Sequence, residues 1–379
     1  MMILSLLAGT LFGSRPLVLA HYMPWYESKP FSGKWGWHWT MNHFDPETLV
    51  SGHREIASKH YPLIGPYDSN DPDALECQVL LMKMSGIDGA VIDWYGTDDV
   101  YDYAAIHRNT LQFIKTLKRA GLKFSICYED QTLPNIIKLG KVTEADVVPY
   151  AQKLMAWMNT NWFKDPSYVK QDGKPLLMVF GPAYYKAPQW QSILKGFDLN
   201  IYGVNGQYDF ATGGFAWPYP KEGLVQTENF YKWSKGWKGF VAGAYPRFQD
   251  IYGEAKVRPQ YDVIPDDGGK TFEKTFDMAV ASKASVIQIA TWNDWGEGTE
   301  IEPSQEFGYR GLEALQKWRN TKLSDPILYK PSDLRLPVDI YMARKKRAKP
   351  GQKVALDAAT EALFAGKPEN ARKLLKDLG

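Results

Sequence analysis

Cysteine is nearly absent from this 379-residue sequence, which contains only Cys77 and Cys127. One thiol falls in a helical pattern and the other in an apolar strand pattern, so they predict neither a disulfide framework nor a cysteine-rich zinc site. We expect two buried structural residues. The six histidines show no HExxH spacing and no pair four residues apart. The sequence therefore predicts no metal and no cofactor.

An excess of charge is also missing, because 45 Lys and Arg residues nearly balance 43 Asp and Glu residues, for a net charge of +2. No long-range field favours a polyanion, so we expect no nucleic acid partner. No segment reaches the roughly 18 apolar residues that a transmembrane helix needs, and no membrane span is predicted. Nothing in the sequence indicates an oligomeric state.

Residues 1–14 are apolar, as in the central region of a secretory signal. They have no Lys or Arg in front and no clear cleavage site behind, so a plain N-terminal extension is the alternative. We expect a secreted or periplasmic protein, and a cytoplasmic location stays open.

Aromatic residues are abundant, at 14% of the chain. From residue 17 onward, short apolar runs alternate with longer stretches of helical period, which is typical of a parallel-sheet protein. The runs predict strands at 17–20, 89–93, 123–128, 176–180, 200–204, 214–217, 240–244 and 286–291. Helical patterns lie between them, at 73–85, 104–120, 143–159 and 272–282 among others. Eight strand–helix units predict a (β/α)8 TIM barrel over residues 15–322.

Residues 323–379 predict a small C-terminal extension. The run MARKKRAK at 342–349 is strongly basic, and we interpret it as a solvated linker, with an anionic surface or partner as the alternative. Residues 354–378 then predict a helical hairpin, similar to half of a tetratricopeptide pair, which must dock on its own barrel or on a partner.

In such a barrel, reactive groups follow the carboxyl ends of the strands. Aromatic rings beside carboxylates in a neutral cleft suit a sugar, because pyranose C–H faces pack on rings and hydroxyls need polar acceptors. Hydrolysis of a glycoside needs one protonated and one ionised carboxyl group, and Asp294 and Glu297 after the eighth strand offer that pair. The alternative is that this loop only caps the following helix.

Four motifs carry a resemblance to a known group of enzymes. They are HYMPWY at 21–26, YPLIGPYDSNDP at 61–72, GIDGAVIDWYG at 86–96 and TWNDWGEGTEIEP at 291–303. Together they resemble glycoside hydrolase families 71 and 99 over about residues 17–318. The resemblance implies a barrel that cleaves α-linked glycans, either α-mannan or α-glucan, without metal or cofactor. Asp at 294 is the family 71 residue, whereas EGTxIEP is the family 99 pattern, so retention and inversion both stay open.

The resemblance also implies roles for individual residues. Glu297 matches the general acid and Asp294 the base. Glu129 matches a carboxylate that contacts substrate, and the first-strand aromatic cluster is Tyr22, Trp25 and Tyr26. The remaining substrate-binding candidates are chosen by position: His38, Asp93, Trp94, Tyr245, Arg247, Trp292 and Asn293.

We therefore expect a glycosidase, endo-acting because strand-end aromatics surround the whole rim, with an oligo- or polysaccharide as its partner. Two alternatives stay open. One is a glycosyl-transfer protein of polysaccharide assembly, although no nucleotide-phosphate loop is visible. The other is a non-catalytic glycan-binding barrel.

Overall fold

The computed structural model describes residues 15–346 and 350–376. The predicted signal-like segment at 1–14 and the end of the basic run at 347–349 lie outside the described residues. Among the helices that are described, none combines the length and the apolar character needed to cross a membrane.

Eight parallel strands form the centre of the structure. They are β1 (Leu17–Tyr22), β2 (Gly89–Trp94), β3 (Lys123–Tyr128), β4 (Lys174–Val179), β5 (Asn200–Val204), β6 (Gly213–Phe215), β7 (Gly239–Ala244) and β8 (Val286–Ile289). Each strand pairs with the next in sequence, and β8 pairs with β1, which closes the sheet. The predicted TIM barrel is confirmed, because short apolar runs buried on both faces can only belong to a covered parallel sheet.

Seven helices cover the barrel: α1 (Pro72–Ser85), α2 (Tyr103–Arg119), α3 (Val147–Met158), α4 (Ala187–Ile193), α5 (Leu224–Trp233), α6 (Lys270–Ala281) and α7 (Arg310–Thr321). Short helices at Lys29–Ser32, Trp37–Thr40 and Leu133–Lys138 lie in the loops. Two small antiparallel pairings, Leu49–Val50 with His53–Arg54 and Lys170–Gln171 with β4, complete the regular structure.

The expectation of eight complete strand–helix units is wrong at one place. No helix separates β5 from β6, and residues 205–212 form turns. A parallel crossover through a helix needs a dozen or more residues, and this connection has eight. It is held against its own strand instead, since the Thr212 hydroxyl accepts from the Ile201 amide at 3.1 Å and the Tyr208 hydroxyl donates to the Val204 carbonyl at 2.9 Å.

The C-terminal residues form three helices, α8 (Arg335–Lys345), α9 (Pro350–Phe364) and α10 (Pro368–Lys376). The pair α9 and α10 is a helical hairpin, and its buried residues, Leu356 and Leu363 among them, belong to the same hydrophobic core as the barrel. Lys83 of α1 donates to the Phe364 carbonyl at 2.6 Å. The hairpin therefore docks on its own barrel.

The basic run differs from the solvated linker that we expected. Residues 342–345 continue α8, and Arg344 lies between three acidic side chains, at 3.0 Å from Asp73, 2.6 Å from Glu76 and 2.8 Å from Asp357. Lys345 pairs with Asp71 at 2.6 Å. These cations neutralise the acidic start of α1, so part of the basic run fixes the C-terminal helices to the barrel.

Arg344→Met tests this docking. The substitution leaves three carboxylates without their shared cation, and we expect the free energy of unfolding to fall by about 1–3 kcal/mol, as for hydrogen bonds to charged groups. Chemical denaturation followed by circular dichroism measures it. Lys353→Met, at an exposed lysine of α9, is the control. A wild-type midpoint for Arg344→Met would show that apolar packing alone holds the hairpin.

Candidate active site

The loops at the carboxyl end of the barrel enclose a pocket of about 190 Å³, here called the inner pocket. Its walls combine aromatic rings with four carboxyl groups from three different strand ends. The lining residues are His21, Met23, Trp25, Trp37, His38, Asp93, Tyr95, Glu129, Gln131, Phe180, Trp217, Tyr252, Asp294 and Glu297. The barrel therefore brings residues 276 positions apart in sequence into one cavity.

A larger cavity of about 790 Å³, here called the outer cleft, lies beside the inner pocket. Gln131, Phe180, Trp217, Tyr252 and Glu297 line both cavities. The outer cleft adds Tyr219, Arg258, Tyr261 and several polar residues to its walls. The two cavities are thus parts of one site, and Glu297 lies at their junction.

The loop after β8 holds Asp294 and Glu297 in a fixed relation. The Asp294 amide donates to the Thr291 hydroxyl at 2.8 Å, and the Glu297 amide donates to Asp294 Oδ1 at 2.9 Å. Asp294 thereby caps the turn that carries Glu297, in the way an Asx turn does. The loop-capping role that we considered as an alternative to catalysis is present, and it orients both carboxyl groups into one pocket.

A second loop, after β7, braces this turn from outside. The Gln249 amide donates to the Glu297 carbonyl at 2.9 Å, and the Ile251 amide donates to the Gly296 carbonyl at 3.0 Å. Gly298 has a φ of +66°, and a Cβ atom there would lie 2.6 Å from the Gln249 carbonyl oxygen. Only glycine allows the two loops to approach this closely.

The environment separates the ionisation of the two carboxyl groups. Burial raises the pKa of Asp294 to about 7, and the backbone hydrogen bond from Glu297 limits this rise. Burial and the negative charge of Asp294 raise the pKa of Glu297 well above its ordinary value. No donor contacts Glu297 Oε2 in good geometry among the described residues. Asp294 is therefore the first of the pair to ionise, and Glu297 keeps its proton to higher pH.

A second pair of carboxyl groups lies across the pocket, at the ends of β2 and β3. Burial raises the pKa of Glu129 to about 7, and Gln131 opposes this by donating a hydrogen bond to its carboxylate. Burial, followed by the charges of Glu129 and Asp294, raises the pKa of Asp93 well above its ordinary value. A proton on Asp93 is shared with Glu129, so this pair holds one negative charge near neutral pH.

Six of the thirteen residues proposed from sequence line the inner pocket: Trp25, His38, Asp93, Glu129, Asp294 and Glu297. Trp25 and His38 stack with ring centroids 4.1 Å apart and form one wall. His38 Nε2 lies 3.4 Å from Asp102, which fixes the imidazole in this orientation.

The other seven residues do not line either cavity. Three of them position the site from behind. The Tyr26 hydroxyl donates to the Asn293 carbonyl at 2.9 Å and accepts from the Trp295 amide at 3.1 Å, and Asn293 bonds both backbone groups of Met23. Tyr22 donates to Gln78 at 2.9 Å. These contacts fix the β1 loop to the β8 loop, so direct sugar contact by these three residues is not what the structure shows.

Three other residues proposed from sequence are packing residues: Trp94, Trp292 and Tyr245. Trp94 is buried among Trp157 and Trp162 and donates to His107 at 3.1 Å. Trp292 is fully buried in the core. The Tyr245 hydroxyl is 2.7 Å from the Thr227 hydroxyl, away from the pocket. Sequence position alone could not show that these rings lie outside both cavities.

Arg247 lies in a different environment from the sugar site that we expected. It is buried, forms an ion pair with the fully buried Glu300, and donates to the Glu300 carbonyl at 2.7 Å. His60 Nδ1 lies 3.0 Å from Glu300. Burial raises the pKa of Glu300, but Arg247 and His60 bring it below the ordinary value. Arg247 therefore holds the β8 loop in place.

Sequence reasoning missed several cavity residues. Tyr252 and Arg258 come from the long loop after β7, well beyond the strand end, and Trp37 comes from a short helix in the first loop. Arg258 lies over the rings of Tyr252 and Tyr261, at 4.5 and 3.5 Å from their centroids, and pairs with Asp250 at 3.2 Å. The clustering of aromatic and basic residues at 245–261 was the available signal.

Comparisons with known proteins agree with this architecture. No protein-family model matches the chain. The chain is 23% identical over 321 residues to a glycoprotein endo-alpha-1,2-mannosidase-like protein of Danio rerio. This match covers 74% of this chain and 69% of the relative. It is 22% identical over 335 residues to the glycoprotein endo-alpha-1,2-mannosidase of Rattus norvegicus, over 75% of this chain and 67% of the relative.

Solved structures of a bacterial endo-alpha-mannosidase have a similar fold. The GH99 endo-alpha-mannosidase of Bacteroides thetaiotaomicron, in complex with bis-tris-propane, superimposes with a TM-score of 0.61 at 18% identity. The match covers 80% of this chain and 96% of that structure. The chain therefore has the fold of the GH99 endo-alpha-mannosidase. A further structure of the same bacterial protein gives a TM-score of 0.59 at 19% identity.

Arg247→Met separates a structural role from a substrate-binding role at this buried position. It leaves the buried Glu300 without its main counter-charge, and we expect the free energy of unfolding to fall by about 3–5 kcal/mol, measured by thermal or chemical denaturation. Arg310→Met is the control, because Arg310 also contacts Asp266 and the Phe307 ring but is half-exposed. Unchanged stability with weakened glycan binding would return Arg247 to the substrate site.

Proposed function

We propose that this chain is a glycoside hydrolase that cleaves α-linked glycans, with α-mannan as the preferred substrate and internal linkages as the point of attack. The observation that carries the proposal is the convergence of Asp294 and Glu297 in an aromatic-walled cleft at the carboxyl end of the barrel. The similarity to endo-alpha-1,2-mannosidases supports mannan ahead of α-glucan.

Glu297 acts as the general acid and Asp294 as the base. The raised pKa of Glu297 keeps its proton available for the departing glycosidic oxygen. Asp294 ionises first, and its carboxylate removes a proton from the attacking hydroxyl. That hydroxyl belongs to a water molecule in an inverting reaction or to the sugar's own 2-hydroxyl in a retaining one. The anomer released, followed by proton NMR, distinguishes the two routes.

The walls of the cleft suit neutral sugar rings. Trp25 and Trp217 line the inner pocket, and both offer apolar faces for the C–H side of a pyranose. Asp93 and Glu129 opposite them provide acceptors for hydroxyl groups. Shape and chemistry therefore match an oligosaccharide without requiring a charged group on it.

The continuity of the two cavities supports attack within a chain. Glu297 lies where the 190 Å³ inner pocket meets the 790 Å³ outer cleft. A glycan bound across this junction places sugar units on both sides of the proposed acid. An exo-acting enzyme needs a closed end on one side, and the outer cleft provides further aromatic surface at Tyr219 and Tyr261 instead.

Glu297→Gln and Asp294→Asn test the catalytic assignment. Each removes one proton-transfer group, and we expect hydrolysis of α-1,2-mannan to fall by about 10²–10⁴-fold, with glycan binding retained. Release of reducing ends and calorimetric binding measure the two properties. Glu306→Gln, at an exposed glutamate beyond the motif, is the control. Binding without turnover in the wild type would favour a non-catalytic barrel, and turnover only with an activated sugar donor would favour transfer.

The pH dependence provides a separate test. Activity requires ionised Asp294 and protonated Glu297, so kcat/KM rises as the pH increases through the pKa of Asp294, at about 7, and falls through the higher pKa of Glu297. We expect a bell-shaped profile whose acid limb lies near neutrality. A profile that is already maximal at pH 5 would contradict the assignment of Asp294 as the base.

A further inference from the structure

Three side chains with metal-binding atoms meet at the floor of the inner pocket. His21 belongs to β1, Asp93 to β2 and Cys127 to β3, which are three neighbouring strands, and Asp93 lies opposite Cys127 in the parallel register. All three residues are buried. One nitrogen, one carboxylate oxygen and the thiol sulfur lie within 4.8 Å of one another.

The imidazole of His21 is oriented as a ligand. Gln288 Nε2 donates to the Ala216 carbonyl at 2.9 Å, which leaves Gln288 Oε1 as the acceptor for His21 Nδ1 at 3.1 Å. The proton therefore resides on Nδ1, and the Nε2 lone pair is free. Burial lowers the pKa of His21 to about 4, so the ring stays neutral. A second residue that fixes the tautomer is the usual support of a metal-bound histidine.

One of the three donor atoms also lacks another partner. Among the described residues, no group forms a hydrogen bond in good geometry with His21 Nε2, whereas Asp93 interacts with Glu129 across the floor of the pocket. Buried polar atoms in this condition are rare, because burial without a partner is costly. A sugar hydroxyl also satisfies this nitrogen, so the observation that favours a cation is the thiol and the carboxylate within 4.8 Å of it.

We propose that His21, Asp93 and Cys127 form a binding site for a thiophilic divalent cation of the zinc class. Coordination uses Asp93 as the carboxylate and Cys127 as the thiolate, so the dication, these two anions and the neutral imidazole sum to zero charge. A neutral cluster is the form that a buried site tolerates best. The ligands come from three strands, which is why no spacing motif in the sequence indicates the site.

The dimensions fit such an ion after a small adjustment. Zinc bonds of roughly 2.0–2.3 Å place tetrahedral ligand atoms about 3.3–3.8 Å apart, so the side chains have to close by about 1 Å. His21 and Asp93 both line the inner pocket, which gives the ion a path from solvent and room for water to complete its coordination. An ion there occupies the floor beside Glu129, so it competes with a bound sugar.

Cadmium binding to the full chain tests the site directly, through the ultraviolet charge-transfer absorption of a cadmium–thiolate bond. We expect one equivalent to bind with this absorption, and zinc to displace it. We expect Cys127→Ala to remove the absorption. It also weakens zinc binding, measured by calorimetry, and the loss exceeds the about 10–100-fold that removal of an outer-shell partner causes. Cys77→Ala is the matched control, because Cys77 is an equally buried thiol on α1.

Asp93→Asn provides a second variant, since an amide mimics the neutral carboxylic acid and preserves the fold. We expect it to weaken zinc binding, measured by calorimetry, because an amide does not provide the anionic oxygen that a carboxylate offers the cation. The proposal is wrong if the absorption persists in Cys127→Ala, if Cys77→Ala abolishes it, or if no cation binds. If the chain hydrolyses mannan but binds no cadmium, the metal site is wrong and the proposed function stands. If it binds cadmium but hydrolyses no mannan, the metal site stands and the proposed function is wrong.

Discussion

The hydrogen bond from the Glu297 amide to the Asp294 carboxylate is the contact on which the site depends. It makes one catalytic candidate the cap of the turn that carries the other, so the relation of the two groups is set by local backbone geometry. The β7 loop then fixes that turn through two further backbone bonds, and the close approach at Gly298 permits them. Asp294 is also buried and lines the pocket, so the same carboxylate that caps the turn is available to a bound ligand.

Anchoring of the same loop requires a buried charge pair. Arg247 belongs to the loop after β7 and Glu300 to the loop after β8, and both are buried. Such a pair contributes little net stability but strongly opposes any arrangement that separates its members. Its effect is therefore to specify one geometry for the TWNDWGEGTEIEP loop, which a reaction dependent on two carboxyl positions requires.

The barrel was predictable from sequence because each strand is a short apolar run buried on both faces, a pattern that no amphipathic helix produces. The missing helix between β5 and β6 does not follow from the eightfold pattern, and the only sequence signal for it is the length of the connection, which is eight residues. Strand ends converge in any such barrel, which is why Asp294, Glu297, Glu129 and Asp93 could be expected to share one pocket, as they do. Trp94 and Arg247 also follow strands but do not line the pocket, since position after a strand does not indicate which way a side chain points. Tyr252 and Arg258 lie too far from a strand end for that reasoning to reach them.

The four carboxyl groups of the inner pocket explain why one floor suits both a sugar and a cation. Four adjacent negative charges cannot coexist in a buried cavity, so protons remain on Asp93 and Glu297 while Asp294 and Glu129 ionise more readily. The retained protons make the pocket close to neutral, which suits a polyhydroxylated ligand. A dication held by His21, Asp93 and Cys127, as proposed above, occupies the same floor. Sugar and metal therefore compete for one space, and each ligand excludes the other.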